Sequence, residues 1–394
     1  MRHILIGFVF IAWLPNLAVS QIVNTVSKTT APEKTIVWDQ LSLKKVAPIQ
    51  QDGGAGYARM IQLSNGELIC VYEGRGNTKC VKSTDLGKTW LLPITIAAAV
   101  SGVSMSVPEI LELKDHSLLA SYNPRPHQIN GNWDTTKRFA ICTKKSYDQG
   151  KTWTDERLLY QAGYQFEDGC WEPSQIQLPS GQIQLFFSDE GIYTHSNEQN
   201  ISLFRSDDNG LTWTKKPQIA SFRPGHRDGM PVPIFLKGAD KILFSIEDNA
   251  GGQFKPSIIC NSINQNWKTP VGANDAGRTS AIRSKLPDTV YAGAPYLRQL
   301  HSGETILSYQ STLNRINKWD MSCMQVAIGD SKGENFINTS IPFSIPLNKQ
   351  GLWNSLCILN DDTIIALTST NAYNNHSEVW MIKGRLINRK SLNH

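Results

Sequence analysis

Two short apolar runs around a polar turn recur six times along this chain, and no other feature restricts its fold so strongly. The copies read "YARMIQLSNGELICVYEG", "VPEILELKDHSLLASYN", "WEPSQIQLPSGQIQLFFSDE", "MPVPIFLKGADKILFSIED", "APYLRQLHSGETILSYQ" and "LWNSLCILNDDTIIALTST". Aligned on the leucine before the turn, they fall at Leu63, Leu113, Leu178, Leu236, Leu300 and Leu359, with 50 to 65 residues between neighbours. Four copies carry a proline five positions earlier: Pro108, Pro173, Pro231 and Pro295. Each copy reads as a β-hairpin, rich in β-branched and aromatic residues, and a second hairpin-like pair follows it. An open sheet of so many strands would expose long edges, whereas radial repetition hides them. The sequence therefore predicts an all-β chain folded as a six-bladed β-propeller of four-stranded antiparallel blades.

The second hairpins carry a sharper signature. "STDLGKTW" (83–90), "SYDQGKTW" (146–153) and "SDDNGLTW" (206–213) fit S-x-D-x-G-x-T-W at the same place in three units, with degenerate versions in "SINQNWKTP" and "GDSKGENF". Ser and Asp satisfy backbone N–H groups in a tight turn, Gly supplies positive φ, and Trp packs between neighbouring sheets. A turn repeated in three blades is structural and not an active site. These turns resemble the Asp boxes of sialidase-like propellers. The sixth unit ends too soon for a fourth strand, so "KTIVWDQLSL" near the N-terminus is expected to close the ring as its outer strand.

The opening "MRHILIGFVFIAWLPNLAVSQ" has a basic start, an apolar run and small residues at Ala18 and Ser20. That is the build of a secretory signal peptide over 1–20 cut before Gln21, which leaves 21–394 as a single propeller domain that is exported, monomeric and free of the membrane. The seven cysteines form no CxxC and lie mostly in apolar strands, so buried free thiols are expected. A net charge of +5 with interspersed signs and no basic run argues against nucleic acid. No metal-ligand or nucleotide-binding motif stands in a supporting context, so no cofactor and no metal are expected.

In such a blade the inner strand crosses the channel and the next returns antiparallel, so the start of the first and the end of the second share one mouth. That rule sends Glu172 and Glu190, the acids bracketing the third repeat, to the same mouth. With them go Arg59, Glu73, Glu109, Asn123, Glu247, Asp248, Tyr296, Gln310 and Trp353. Acids with flat rings around one concavity suit a carbohydrate, with carboxyl groups for acid and nucleophile or base chemistry and rings to stack sugars. Glu172, beside Trp171 and before Pro173, is placed where desolvation raises a carboxyl pKa toward that of a general acid.

The stretches "WEPSQIQLPSGQIQLFFSDE" and "RPGHRDGMPVPIFLKGADKILFSIED" resemble glycoside hydrolase family 93, the exo-acting α-L-arabinanases. The resemblance covers blades one to four well and the last two weakly. It implies a retaining hydrolase of 1,5-linked α-L-arabinofuranose, with Glu172 as acid/base, Glu247 as nucleophile and Glu190 on a sugar hydroxyl. Arg59, Glu109, Asn123, Arg227, Tyr296 and Trp353 are the further candidates for substrate binding. The turn holding His226 and Arg227 either serves an anionic sugar or lies outside the pocket. Three other readings stand beside this one: a sialidase, for which "GYARMIQL" supplies Arg59 but no R-I-P; a non-catalytic sugar-binding propeller; and a lyase acting on a uronate.

Overall fold

The computed structural model describes residues 33–46 and 54–389, so the segment read as a signal peptide lies outside the described residues. Within them, six four-stranded antiparallel sheets are arranged in chain order. Blade one holds β2 (Ala55–Gln62), β3 (Leu68–Gly74), β4 (Asn77–Ser83) and β5 (Ile94–Ala97). Blade two holds β6 (Val103–Glu112), β7 (Leu118–Pro126), β8 (Ala140–Ser146) and β9 (Thr154–Gln161). Blade three runs β10 (Cys170–Gln177), β11 (Ile183–Asp189), β12 (Asn200–Ser206) and β13 (Gln218–Ser221). Blade four runs β14 (Asp228–Leu236), β15 (Lys241–Asp248), β16 (Lys255–Ser262) and β17 (Arg278–Ser280). Blade five has β18 (Ala292–Gln299), β19 (Thr305–Ser311), β20 (Cys323–Gly329) and β21 (Ile337–Ser340). Blade six has β22 (Gly351–Ile358), β23 (Ile364–Thr370) and β24 (Glu378–Asn388), with β1 (Lys34–Lys45) as its outer strand. The N-terminal closure expected from the short sixth unit is present: β1 pairs antiparallel with β24, Lys34 opposite Asn388 and Trp38 opposite Gly384.

The core lies between blades rather than in one centre. Phe186, Phe244 and Trp267 join blades three and four, for example, and Leu68, Cys70, Tyr72, Leu367 and Met381 join blades one and six. The three Asp-box turns are built alike. Asp85 Oδ1 accepts the Thr89 N–H and Oδ2 the Thr89 hydroxyl, while Ser83 Oγ accepts the Gly87 N–H. Asp148 with Ser146 and Asp208 with Ser206 repeat this pattern. Trp90, Trp153 and Trp213 pack against the core between sheets, as the repeat predicts, and buried Trp267 and Phe336 hold the corresponding places in the degenerate versions. All seven cysteines are free, six buried and Cys260 half-buried.

One repeated detail positions the site. Every inner strand has a register shift near its start, and there one non-glycine residue takes left-handed backbone: Tyr57 (φ 53°), Val107 (44°), Glu172 (47°), Met230 (54°), Ala294 (46°) and Trp353 (54°). Each such residue costs about 1–3 kcal/mol, and the ladder opens where it sits. The neighbouring blade supplies acceptors for the freed N–H groups. Ser369 Oγ takes Tyr57 N–H (2.9 Å), Ser188 Oγ takes Met230 N–H (2.9 Å), Glu247 Oε2 takes Ala294 N–H (2.9 Å) and Gln310 Oε1 takes Trp353 N–H (2.8 Å). Tyr57, Val107, Met230 and Ala294 form an apolar cluster with Trp353 across the channel mouth. Glu172 is the charged member of this ring of six.

Candidate active site

Beside that ring opens a cleft of about 590 Å³. Its acids are Glu172 from β10, Glu190 just after β11 and Glu247 from β15, and Arg125 and Arg227 stand among them. Phe166, Trp171, Phe254, Tyr291, Trp319 and Trp353 supply ring surface. Phe166 and Trp319 sit in two single-turn 3-10 helices, 60% and 52% exposed, so their faces are open to a ligand. Trp319 and Trp353 lie with ring centroids 6.0 Å apart on one side, and Phe166 and Trp171 lie 4.6 Å apart on the other.

Each acid is held differently. Arg125 donates to Glu172 Oε1 (3.2 Å), and its own Nε is fixed on Asn123 Oδ1 (2.7 Å). Ser188 Oγ reaches Glu172 Oε2 at 3.5 Å. Glu190 receives the Gln199 amide on Oε1 (2.6 Å) and pairs with Arg227. Glu247 is anchored through Oε2 on the Ala294 N–H, the same link that Ser188, Gln310 and Ser369 make elsewhere in the ring. Among these four links, blade four has put a carboxylate where the other three use a neutral acceptor.

Burial pushes the Glu172 carboxyl above its usual range, against the pull of Arg125, Arg227 and Arg59. Burial likewise lifts Glu247 to about 7, with the Glu172 charge adding to the rise and the Ala294 N–H opposing it. Glu190 is lifted to about 7 by burial against Arg227, and Asp189, behind the cleft, to about 6. These groups bind protons more tightly in the folded chain than in the unfolded one, so their contribution to stability is complete below about pH 4 and is lost as pH rises through 6 to 7. Thermal melting is expected at a higher temperature at pH 5 than at pH 8. Glu247→Gln keeps an acceptor for Ala294 and removes the titration, so it should raise the melting temperature at pH 8 and flatten the pH dependence. A melting temperature that climbs from pH 5 to pH 8 would contradict this ordering.

Glu247 also needs Gly293. A Cβ on Gly293 would collide with both Glu247 Oε2 and Tyr291 Oη. Gln310 Nε2 holds that hydroxyl at 3.1 Å, so neither group has room to move aside freely. Gly293→Ala is expected to cut turnover at least tenfold while the protein remains folded, because small misplacements of reacting groups are costly. Activity within twofold of the parent would show that the cleft tolerates the displacement.

Among the candidates from sequence, the structure brings Glu172, Glu190, Glu247, Arg227 and Trp353 together in the cleft. Arg227 thus lies inside it. Arg59, Glu109, Asn123 and Tyr296 lie outside its lining. Arg59 Nε is 3.9 Å from Glu109 Oε2, and its guanidinium lies 4.0 Å over the Tyr57 ring and 4.8 Å over Tyr296. Tyr296 donates to Glu109 Oε2 (3.2 Å). All three are buried in a plug below the ring, and Asn123 acts through Arg125. Asp248 is bound up with Arg223 and Arg278, each at 3.0 Å. Arg125 and Tyr291 were missed by sequence reasoning. Strand alternation carries a signal for Arg125, which shares a face with Asn123 two residues earlier. Phe166 and Trp319, isolated rings in polar loops, carry only their exposure.

No protein-family model matches this sequence, and no curated protein matches it. Solved structures do match its fold. An α-L-arabinanase of Penicillium chrysogenum, complexed with arabinobiose, aligns with TM-score 0.67 at 17% identity over 89% of this chain and 98% of its own. The α-L-arabinofuranosidase Arb93A of Fusarium graminearum aligns with TM-score 0.65 at 16% identity over 87% and 97%. The NanB sialidase of Streptococcus pneumoniae aligns with TM-score 0.58 at 13% identity, covering 88% of this chain and 70% of its own. At these identities the likeness establishes a shared architecture, the sialidase-like six-bladed propeller.

Proposed function

We propose that this protein is an exported retaining glycoside hydrolase acting on α-L-arabinofuranosyl chains such as 1,5-linked arabinan. One observation carries the reading: two carboxyls of raised pKa, Glu172 and Glu247, line the same ring-walled cleft. Glu172, the acid, gives its proton to the glycosidic oxygen while Glu247, ionised, attacks the anomeric carbon. The bond to the leaving oxygen breaks and a Glu247 ester forms. Ester formation removes the Glu247 charge, which lowers the Glu172 pKa through their mutual repulsion. Glu172 then takes a proton from water, whose oxygen displaces Glu247 and restores both carboxyls. The fit to arabinan rests on the resemblance in sequence and on the matching fold of an α-L-arabinanase and an α-L-arabinofuranosidase.

A sialidase needs cationic groups free to meet a sugar carboxylate. Here Arg59 is spent on the buried plug, and the cleft's Arg125 and Arg227 are each paired with a glutamate. That pairing favours a neutral sugar. Incubation with debranched arabinan, arabinoxylan and sialyllactose, with identification of the released sugar, tests the assignment. Arabinose or short arabino-oligosaccharides from the first are expected; sialic acid from the third would overturn it.

A further inference from the structure

A second cavity of about 260 Å³ opens against the first. It is lined by Tyr57, Val107, Glu73, Gln350 and Ser377, with backbone of 54–56 at its edge. Arg125, Glu172 and Trp353 line both cavities, whereas Glu190, Arg227 and Glu247 line only the larger. Glu172 therefore stands on the boundary, with Glu247 to one side of it and the smaller cavity to the other. A general acid must meet the oxygen that joins the two halves of its substrate, and the nucleophile must approach from the opposite face of the reacting carbon. Those two demands fix which half goes where.

We infer that the smaller cavity is the leaving-group site, built for a neutral sugar residue. This rests on the hydrolase reading above and adds to it the residues that hold the departing half. The Tyr57 and Trp353 rings, with centroids 6.0 Å apart and planes inclined by 38°, give the site aromatic surface. The Gln350 amide and the Ser377 hydroxyl, both half-buried, line it as polar groups able to hydrogen-bond sugar hydroxyls. Glu73 is half-buried and forms no ion pair among the described residues, so its carboxylate accepts hydrogen bonds from a polyol and repels an acidic sugar. The cavity holds less than half the volume of its neighbour, which suits one residue rather than a chain. These groups come from blades one and six, whereas Glu190 and Glu247 come from blades three and four. Leaving-group preference and preference for the transferred sugar are thus set by different parts of the ring.

The site is tested by transfer, because an acceptor sugar must enter where the leaving group left. With p-nitrophenyl α-L-arabinofuranoside as donor, the partition between hydrolysis and transfer is measured in the presence of xylose or galacturonate. The parent enzyme is expected to transfer to xylose and not to galacturonate. Gln350→Ala and Ser377→Ala should each lower the ratio of transfer to hydrolysis at least fivefold. Glu73→Lys should reverse the preference toward galacturonate, a gain that a merely damaged fold cannot produce. Partition ratios unchanged in all three variants would overturn the assignment. A parent enzyme that releases neither p-nitrophenol from this donor nor any sugar from debranched arabinan would instead remove the hydrolase reading, and this site with it.

Discussion

Glu247→Ala is expected to abolish turnover of an aryl α-L-arabinofuranoside, by several orders of magnitude, and sodium azide should restore it. The expectation follows from where the carboxylate is held. Its Oε2 is tied to the Ala294 N–H, so the side chain is immobilised before substrate arrives and its other oxygen is the one left for the cleft. Truncation to alanine empties that space for a small anion, which attacks from the same side and gives a glycosyl azide of inverted configuration. The variant also loses the link to blade five, so part of its effect is structural. Glu247→Gln separates the two. It keeps the acceptor, and it should be as inactive as the alanine variant yet more stable than the parent at pH 8. A Glu247→Ala protein that keeps more than about a tenth of the parent rate would take Glu247 out of the mechanism, because removing a nucleophile costs far more than that.

The ring of left-handed residues explains which site residues could be read from sequence. The rule that inner-strand starts and second-strand ends share a mouth places Glu172, Glu190, Glu247 and Trp353 correctly, because it depends only on antiparallel pairing. It fails for Arg59, Glu109 and Tyr296 through an offset of two. Each follows the left-handed residue of its strand, Tyr57, Val107 or Ala294, by two positions, and so points into the channel one step deeper. Glu172 and Trp353 are themselves the left-handed residues and face the cleft. Nothing in composition or alternation announces the bulge. Its sequence correlate is the following proline in four strands, and Ala58 and Asn354 take that place in the other two. The aromatic walls were hidden for another reason: Phe166 and Trp319 lie on loops that differ from blade to blade, where no repeat helps. The fold was legible because it is written six times, whereas the site is written once.

Ring closure by β1 carries the last prediction. A chain that begins at residue 47 should fail to fold cooperatively, or should associate. Eight residue pairs join β1 to β24, and without them the whole length of β24 becomes an open edge. Ile36 is buried against blades five and six, and half-buried Trp38, Leu43 and Leu386 pack with it. At about 1.5–3 kcal/mol for a fully buried large apolar side chain such as Ile36 and about half that for half-buried Trp38 and Leu43, this packing is a sizeable share of the roughly 5–15 kcal/mol that separates a folded domain from its unfolded chain. Polar links add to it. Asn338 Nδ2 donates to the Lys34 carbonyl (2.9 Å), Trp38 Nε1 to Ser340 Oγ (3.0 Å), and Lys45 pairs with Glu378 at 2.6 Å. The strand therefore ties blade six to blade five as well as completing its own sheet. Thermal melting and size-exclusion chromatography of the shortened chain are the measurements, and a peptide of residues 33–46 added in trans should restore part of the cooperative transition. A shortened chain that melts cooperatively at the parent temperature, as a monomer, would show that three strands suffice for blade six and that β1 only covers an edge already stable without it.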